Sequence, residues 1–286
     1  MRHSAAALHL EAAAQAEDDP RRWYSTNLVG VPVGLLVSTA FNAHPLPLTI
    51  GGTRMEHRGL FRLLEAAEDI EAASAVFRHY MELAFDLKPP PPEERAARHR
   101  HRFRSSYLKL LQGWGLDSNS QAGAVLKGWV ESRFGVVPTY HKQALGRFPS
   151  ESWMAYVEEK ASSRFHNNCI NSQLDLLYEY CQWAIGRFRL AVEPWVTLWR
   201  GVNSFDEQVV VGGSHRSGQC VVRLNNVVSF TTQRERADEF GDWILKARVP
   251  AVKLVFFPGI LPGAPLTGED EALVIGGDYN VEASYA

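Results

Sequence analysis

Cysteine is scarce in this chain. There are three in 286 residues, Cys169, Cys181 and Cys220, and their spacing suggests no pairing. This argues against a disulfide framework as the source of stability and suits a reducing compartment. A dominant charge is lacking as well. Thirty Lys and Arg face 32 Asp and Glu, for a formal net charge of −2 and a pI near 6.6. Chain-wide attraction to nucleic acid or anionic membrane is therefore not expected, although a local patch could still act that way. No apolar run is long enough to span a bilayer: the longest, Leu28–Phe41, is broken by Gly30, Pro32 and Gly34. Met1–Asp19 is alanine-rich with acids and lacks the basic start and apolar stretch of a signal peptide. The expectation is a cytoplasmic protein with no membrane or nucleic-acid partner. What the chain does have is 45% hydrophobic and 22% charged residues, enough for a substantial core.

Helical spacing dominates the first two-thirds. Ile70, Ala73, Phe77, Tyr80, Met81 and Ala84 recur at intervals of three or four after Asp69. Pro89–Pro92 end that pattern and read as a stiff connector. A second helix is expected over Glu93–Leu111, with Arg95, Arg98, Arg100, Arg102 and Arg104 forming a basic run interleaved with His99 and His101. That run reads either as a solvated helix face or as a docking surface for an acidic partner. Further helices are expected over Ala122–Phe134, Ser152–Phe165 and Ile170–Phe188. The last shows one apolar stripe through Ile170, Leu174, Leu177, Cys181, Ala184 and Phe188.

After Leu190 the texture changes to short β-rich runs separated by Gly, Asn and Pro. These are Trp195–Arg200, Val209–Val211, Cys220–Leu224, Val227–Thr231, Ile244–Val249, Val252–Phe257, Ala272–Ile275 and Tyr279–Ala283, with one short helix from Arg234 to about Trp243. Helices followed by strands in blocks indicate an α+β fold, a helical N-terminal part packed on a small, mainly antiparallel β core. The chain reads as one unit over 1–286, mainly helical through 190 and β-rich over 191–286.

Three local features of the β-rich part carry candidate chemistry. Leu198-Trp199-Arg200-Gly201 ends a strand with an arginine that can fork onto phosphate, followed by a glycine that admits close backbone approach. In Val228-Ser229-Phe230-Thr231-Thr232, alternation puts Ser229 and Thr231 on one face and Phe230 on the other. Gly268-Glu269-Asp270-Glu271 leads into a strand; if the strand starts there, Glu269 and Glu271 share a side and can divide an acid–base task. Each has a plainer reading alone: a surface turn, a strand with one polar face, an acidic loop. His166 and Cys169 are spaced like two metal ligands, but no second pair accompanies them, so no metal is expected.

The order of the three features changes the balance. Arg200-Gly201, then Ser229-Phe230-Thr231, then Glu269-Asp270-Glu271 resembles the R-S-E arrangement of ADP-ribosyltransferases, with Phe240 at the distance of their nicotinamide-contacting aromatic. Longer runs narrow the resemblance. Ser25–Gly30, Lys127–Gly135, Arg164–Asn168, Gln173–Glu179 and Glu239–Leu245 are similar to the family that modifies dinitrogenase reductase, the nitrogenase iron protein. The chain departs at one point: Thr231 stands where the pattern often has a second serine, so Thr231-Thr232 competes with Ser229 as the functional pair.

That resemblance implies an NAD-dependent mono-ADP-ribosyltransferase acting on an arginine of dinitrogenase reductase and so shutting off nitrogen fixation. It also implies a PII signalling protein as activator. Its pattern would have Arg200 grip the pyrophosphate, with Gly201, Ser229 and Thr231 also in the NAD site. Phe240 would pack on nicotinamide, and Ser229 would orient Glu271. Glu271 would stabilise the oxocarbenium-like centre formed as the nicotinamide bond breaks, and Glu269 would act as base for the acceptor. The family fold also suggests that Asn27 and Leu28 border the cleft. His166-Asn167-Asn168 reads either as a polar contact near it or as a buried structural network.

Overall fold

The computed structural model describes residues 27–88, 104–191, 194–214, 216, 218–266 and 270–285. Four short helices come first: α1 (Val33–Leu36), α2 (Thr39–Ala43), α3 (Thr53–Glu56) and α4 (Arg58–Glu65). Then come α5 (Ile70–Ala84), α6 (Tyr107–Leu116), α7 (Gln121–Phe134), α8 (Glu151–Lys160) and α9 (Ile170–Arg187). Side-chain caps set five of these starts, the first being Ser38, which accepts from the Phe41 N–H at 3.2 Å before α2. Asp69 accepts from the Ala72 N–H at 2.8 Å, Ser106 from Lys109 at 3.3 Å, Ser120 from Gly123 at 3.2 Å and Ser150 from Trp153 at 3.4 Å.

Two helices expected from the sequence are redrawn. The stretch Glu93–Leu111 is not one helix: residues 104–106 are irregular, Ser106 caps a new start, and α6 continues to Leu116. Most of the basic run, Arg95 to Arg102, lies outside the described residues; Arg104 is exposed and pairs with Asp86. The helix expected over Ser152–Phe165 stops at Lys160.

The stripe expected on α9 is only part of its buried surface. Gln173, Asp175 and Glu179 are buried too, because α9 runs between the other helices and the sheet. Each has dedicated partners. Asp175 accepts from Trp129 Nε1 at 2.7 Å and from both arms of Arg133 at 2.7 and 2.9 Å. Glu179 accepts from the Ile50 N–H at 2.7 Å and pairs with Arg54. Gln173 accepts from the Tyr107 N–H at 3.0 Å and so fixes the first turn of α6. On the sheet side, the Tyr178 and Tyr180 hydroxyls donate to the main-chain oxygens of Val252 and Ile260.

A two-stranded ribbon, β1 (Tyr140–His141) with β2 (Gln143–Ala144), precedes the main sheet. The main sheet comprises β3 (Trp195–Val202), β4 (Val209–Ser214), β5 (Gln219–Thr231), β6 (Trp243–Pro250), β7 (Leu254–Phe256) and β8 (Glu271–Tyr285). Its order is β4-β5-β3-β6-β8-β7 with a further β5–β8 pairing, and every pairing is antiparallel. The architecture is α+β, as expected.

Two pairs of expected strands merge. Cys220–Leu224 and Val227–Thr231 are halves of β5, joined through a bulge between Leu224 and Val227. Ala272–Ile275 and Tyr279–Ala283 are halves of β8. The Gly276-Gly277 pair that reads as a break lies opposite the bulge, where a Cβ on Gly276 would sit 1.6 Å from the Asn225 main-chain oxygen. The expected strand Val252–Phe257 opens instead with a 3₁₀ turn, Ala251–Lys253, so β7 is three residues long. The expected helix Arg234–Trp243 ends at Asp238 as α10 (Arg234–Asp238), since Trp243 already pairs with Val202 and Tyr285.

One hydrophobic cluster runs through both halves. It contains Leu60, Phe77 and Leu174 from the helices together with Leu198, Val274 and Tyr279 from the sheet. Ala124, Leu145, Trp153 and Tyr156 form a smaller satellite.

Candidate active site

Sheet register assembles the site. Trp199 on β3 stands opposite Thr231 on β5, and Thr231 stands opposite Glu271 on β8, with Ser229 opposite Leu273. Ser229 and Glu271 are therefore diagonal neighbours on one face, within side-chain reach. Phe230 faces the other way into the core at 2% exposure, as alternation requires. The Ser229 hydroxyl donates to Glu271 Oε1. Arg200, next along β3, donates through Nη1 to the Ser229 main-chain oxygen at 2.7 Å.

Arg200, Ser229 and Glu271 line one cleft of about 480 Å³, with Gly201, Thr231 and Phe240 also on its wall. That volume falls in the roughly 300–1,000 Å³ range of small-molecule sites. A depression of similar size on the sheet, lined by Lys246, Arg248 and Glu282 among others, contains none of these residues. Burial lowers the pKa of Arg200 and the nearby Glu271 carboxylate raises it. A guanidinium stays protonated through such shifts. Its Nε is buried and has no partner, an unmet donor of the kind a bound phosphate oxygen would satisfy.

Other expected residues take less central positions. The Thr231 hydroxyl accepts from the Gln233 N–H at 3.2 Å, shaping the turn after β5, and it is Ser229 whose hydroxyl donates to Glu271. Phe240 sits on the rim, 51% exposed. Gly201 serves packing and not the close approach of a ligand. A Cβ there would lie 2.1 Å from the Ala237 main-chain oxygen and 3.0 Å from Phe240 Cβ, so the missing side chain admits the α10 segment rather than a ligand.

Glu269 lies outside the described residues. The alternation used to set it beside Glu271 does not extend back through Asp270: β8 begins at Glu271, and Asp270 has φ 50°, in the left-handed region. Asn27 and Leu28 are not on the cleft wall. Asn27 closes a local turn, accepting from Gly30 and donating to Val31, and Leu28 donates to the Arg133 main-chain oxygen. Asn167 and Asn168 form the structural network: Asn167 accepts from the Ser105 N–H at 2.9 Å, and Asn168 donates to the Phe85 and Ser105 main-chain oxygens. Among the described residues no cluster of three or more His, Cys, Asp or Glu is placed to hold a metal, and no helix is long and apolar enough to cross a membrane.

The helical half also reaches the site, which sequence reasoning missed. The end of α6 and the turn after it, Trp114 to Ser118, form one wall of the cleft. The Trp114 indole donates to Ser229 Oγ at 2.8 Å and to Glu271 Oε1 at 3.2 Å.

A family model described as dinitrogenase reductase ADP-ribosyltransferase matches residues 26–283, spanning the helices, the sheet and the cleft. The chain belongs to that family. It is an enzyme, an ADP-ribosyltransferase. It is 50% identical over 271 residues to the NAD(+)--dinitrogen-reductase ADP-D-ribosyltransferase of Rhodospirillum rubrum, which covers 94% of this chain and 98% of that protein. No solved structure matches the chain.

Proposed function

We propose that this ADP-ribosyltransferase moves ADP-ribose from NAD⁺ to an arginine side chain of dinitrogenase reductase, releases nicotinamide and thereby switches nitrogen fixation off. The observation that carries the reading is the meeting of Arg200, Ser229 and Glu271 in one cleft. Arg200 holds the pyrophosphate, using donors beyond the one engaged by Ser229. Glu271 faces the ribose and stabilises positive charge as the nicotinamide–ribose bond lengthens; carboxylates serve oxocarbenium centres in this way in glycoside cleavage. Ser229 orients Glu271. Gly201, Thr231 and Phe240 complete the NAD wall, with Phe240 against the nicotinamide ring.

The acceptor sets a separate requirement. A guanidinium has a pKa of about 12.5–13.8, so deprotonating it at pH 7 before attack costs about 8–9 kcal/mol. A carboxylate base that takes the proton as the new bond forms avoids most of that cost, and Glu269 is assigned this role. A PII signalling protein is the proposed activator. The enzyme works in the cytoplasm, with no metal in its catalytic site and no membrane or nucleic-acid partner.

The test is incubation with labelled NAD⁺ and purified dinitrogenase reductase, followed by mass spectrometry. One ADP-ribosylated arginine with matching nicotinamide release supports the reading. NAD⁺ turnover with no label on that protein overturns the substrate assignment. Glu269→Gln separates the two half-reactions. Slow hydrolysis of NAD⁺ should survive, since water needs less help than a guanidinium, while transfer to arginine collapses. Retained transfer would contradict the assignment of Glu269.

A further inference from the structure

We propose that Trp114 is a positioning residue of this reaction: its indole N–H locks the Ser229–Glu271 pair, so the helical part of the chain completes the active site. The inference rests on Glu271 being the reacting carboxylate. The indole nitrogen is a donor only. Because it points at Ser229 Oγ from 2.8 Å, that oxygen must accept from it. The serine's own hydrogen is then directed away from the ring and onto Glu271 Oε1, the carboxylate oxygen within hydrogen-bond reach, which can only accept. The same indole N–H also reaches Oε1 at 3.2 Å. Three groups close a triangle in which every hydrogen bond has one direction, and Glu271 Oε1 is held by two donors at the cleft wall.

A simple filling role does not account for this geometry. Trp114 is 4% exposed and needs a partner for its N–H. A main-chain oxygen would suffice, as for Trp153 on Gly146 and Trp195 on Asn42. The flanking glycines bring α6 close enough for more. A Cβ on Gly113 would lie 2.5 Å from Ala122 Cβ, and one on Gly115 would lie 2.7 Å from Leu266 Cδ2 and 3.8 Å from Glu271 Oε2. Two glycines near the end of a helix weaken it; here Gly113 lets it pack against α7 and Gly115 leaves room for the Leu266 side chain beside the carboxylate. The Gln173 bond to Tyr107 and the Ser106 cap hold the opposite end of α6.

The test is Trp114→Phe, which keeps an aromatic ring and removes the N–H, assayed by nicotinamide release. The expected result is a kcat about ten- to a hundredfold lower, the span of one hydrogen bond to a charged group, with KM for NAD⁺ within about threefold. Because the effect runs through the serine–carboxylate pair, adding Ser229→Ala should lower kcat little beyond the larger single loss. Should Trp114→Phe fold poorly, benzothienylalanine at position 114 keeps the bicyclic shape without the N–H and should show the same loss. A kcat within about twofold of the parent for the folded variant, or losses that multiply with Ser229→Ala, overturns the inference. Glu271→Gln in the same assay separates the two claims. If it is inactive while Trp114→Phe is active, only the tryptophan assignment fails. If Glu271→Gln is active, the reading of the site fails first.

Discussion

Among the described residues, Trp129, Trp114 and Trp183 donate an indole N–H to a carboxylate, and the settings of the first two differ instructively. Trp129 reaches Asp175 at 2.7 Å inside the helical part, where Arg133 forks onto the same carboxylate. That cluster is closed: the arginine and the indole both bind the aspartate, with both charged side chains largely buried. Trp114 reaches Glu271 at 3.2 Å where α6 meets the sheet. There the nearby arginine, Arg200, donates to a main-chain oxygen instead, and the whole group lines a cleft. The same parts serve as a rivet in one place and as a poised site in the other. What separates them is the aim of the arginine and access to the cleft, not residue type.

The contrast can be broken by substitution. Asp175→Asn should cost about 3 kcal/mol of stability, the low end for an opened buried ion pair because Arg133 keeps some solvent contact. Urea unfolding would show this, with kcat per folded molecule unchanged. Loss of turnover at unchanged stability would erase the distinction between rivet and site.

Arg200→Lys should show the reverse pattern. A point charge cannot reproduce a fork on phosphate, so NAD⁺ binding should weaken by about 1–3 kcal/mol by calorimetry, with little change in stability. Unchanged affinity would place the pyrophosphate elsewhere.

A pH-dependent effect concerns a buried amine with neither arrangement. Lys253 Nζ is fully buried with no hydrogen-bond partner, 5.3 Å from the Phe41 ring centre and 4.9 Å from that of Tyr279. Burial pulls its pKa down to about 7, partly opposed by Asp278. Between pH 7 and the ordinary lysine value of 10.5 the unfolded chain binds more protons, so unfolding free energy rises with pH across that window. Lys127, drawn down to about 8 by burial, contributes to the upper part of the same rise. Lys253→Met should make the rise shallower between pH 7 and 9 in urea titrations. An unchanged slope would contradict the assignment.

Much of this architecture was legible in the sequence because local rules govern it. Asp69 before a three–four repeat gave α5 its start, and the block of strands after Leu190 gave the α+β class. Alternation correctly separated Ser229 from Phe230. What was not legible depends on distant partners. The burial of Gln173, Asp175 and Glu179 on α9 requires knowing what packs on its polar face. The merger of β8 across Gly276-Gly277 requires the bulge of a strand about fifty residues earlier in the chain. Trp114 lies 157 residues from Glu271. Its local sequence, Gly113-Trp114-Gly115, shows only that the backbone there comes close to something.

The central claim is that Glu271 serves the reaction and not the fold or the grip on NAD⁺. Glu271→Gln measures it most directly, with NAD⁺ affinity by calorimetry and nicotinamide release taken on one preparation. An amide in place of the carboxylate stabilises developing positive charge poorly. The account expects release to fall by about 10²–10³-fold or more, the scale of losing one preorganised electrostatic contact, while affinity stays within about threefold. Release near the parent rate from the folded variant would contradict it and move the search to Asp270, the adjacent carboxylate.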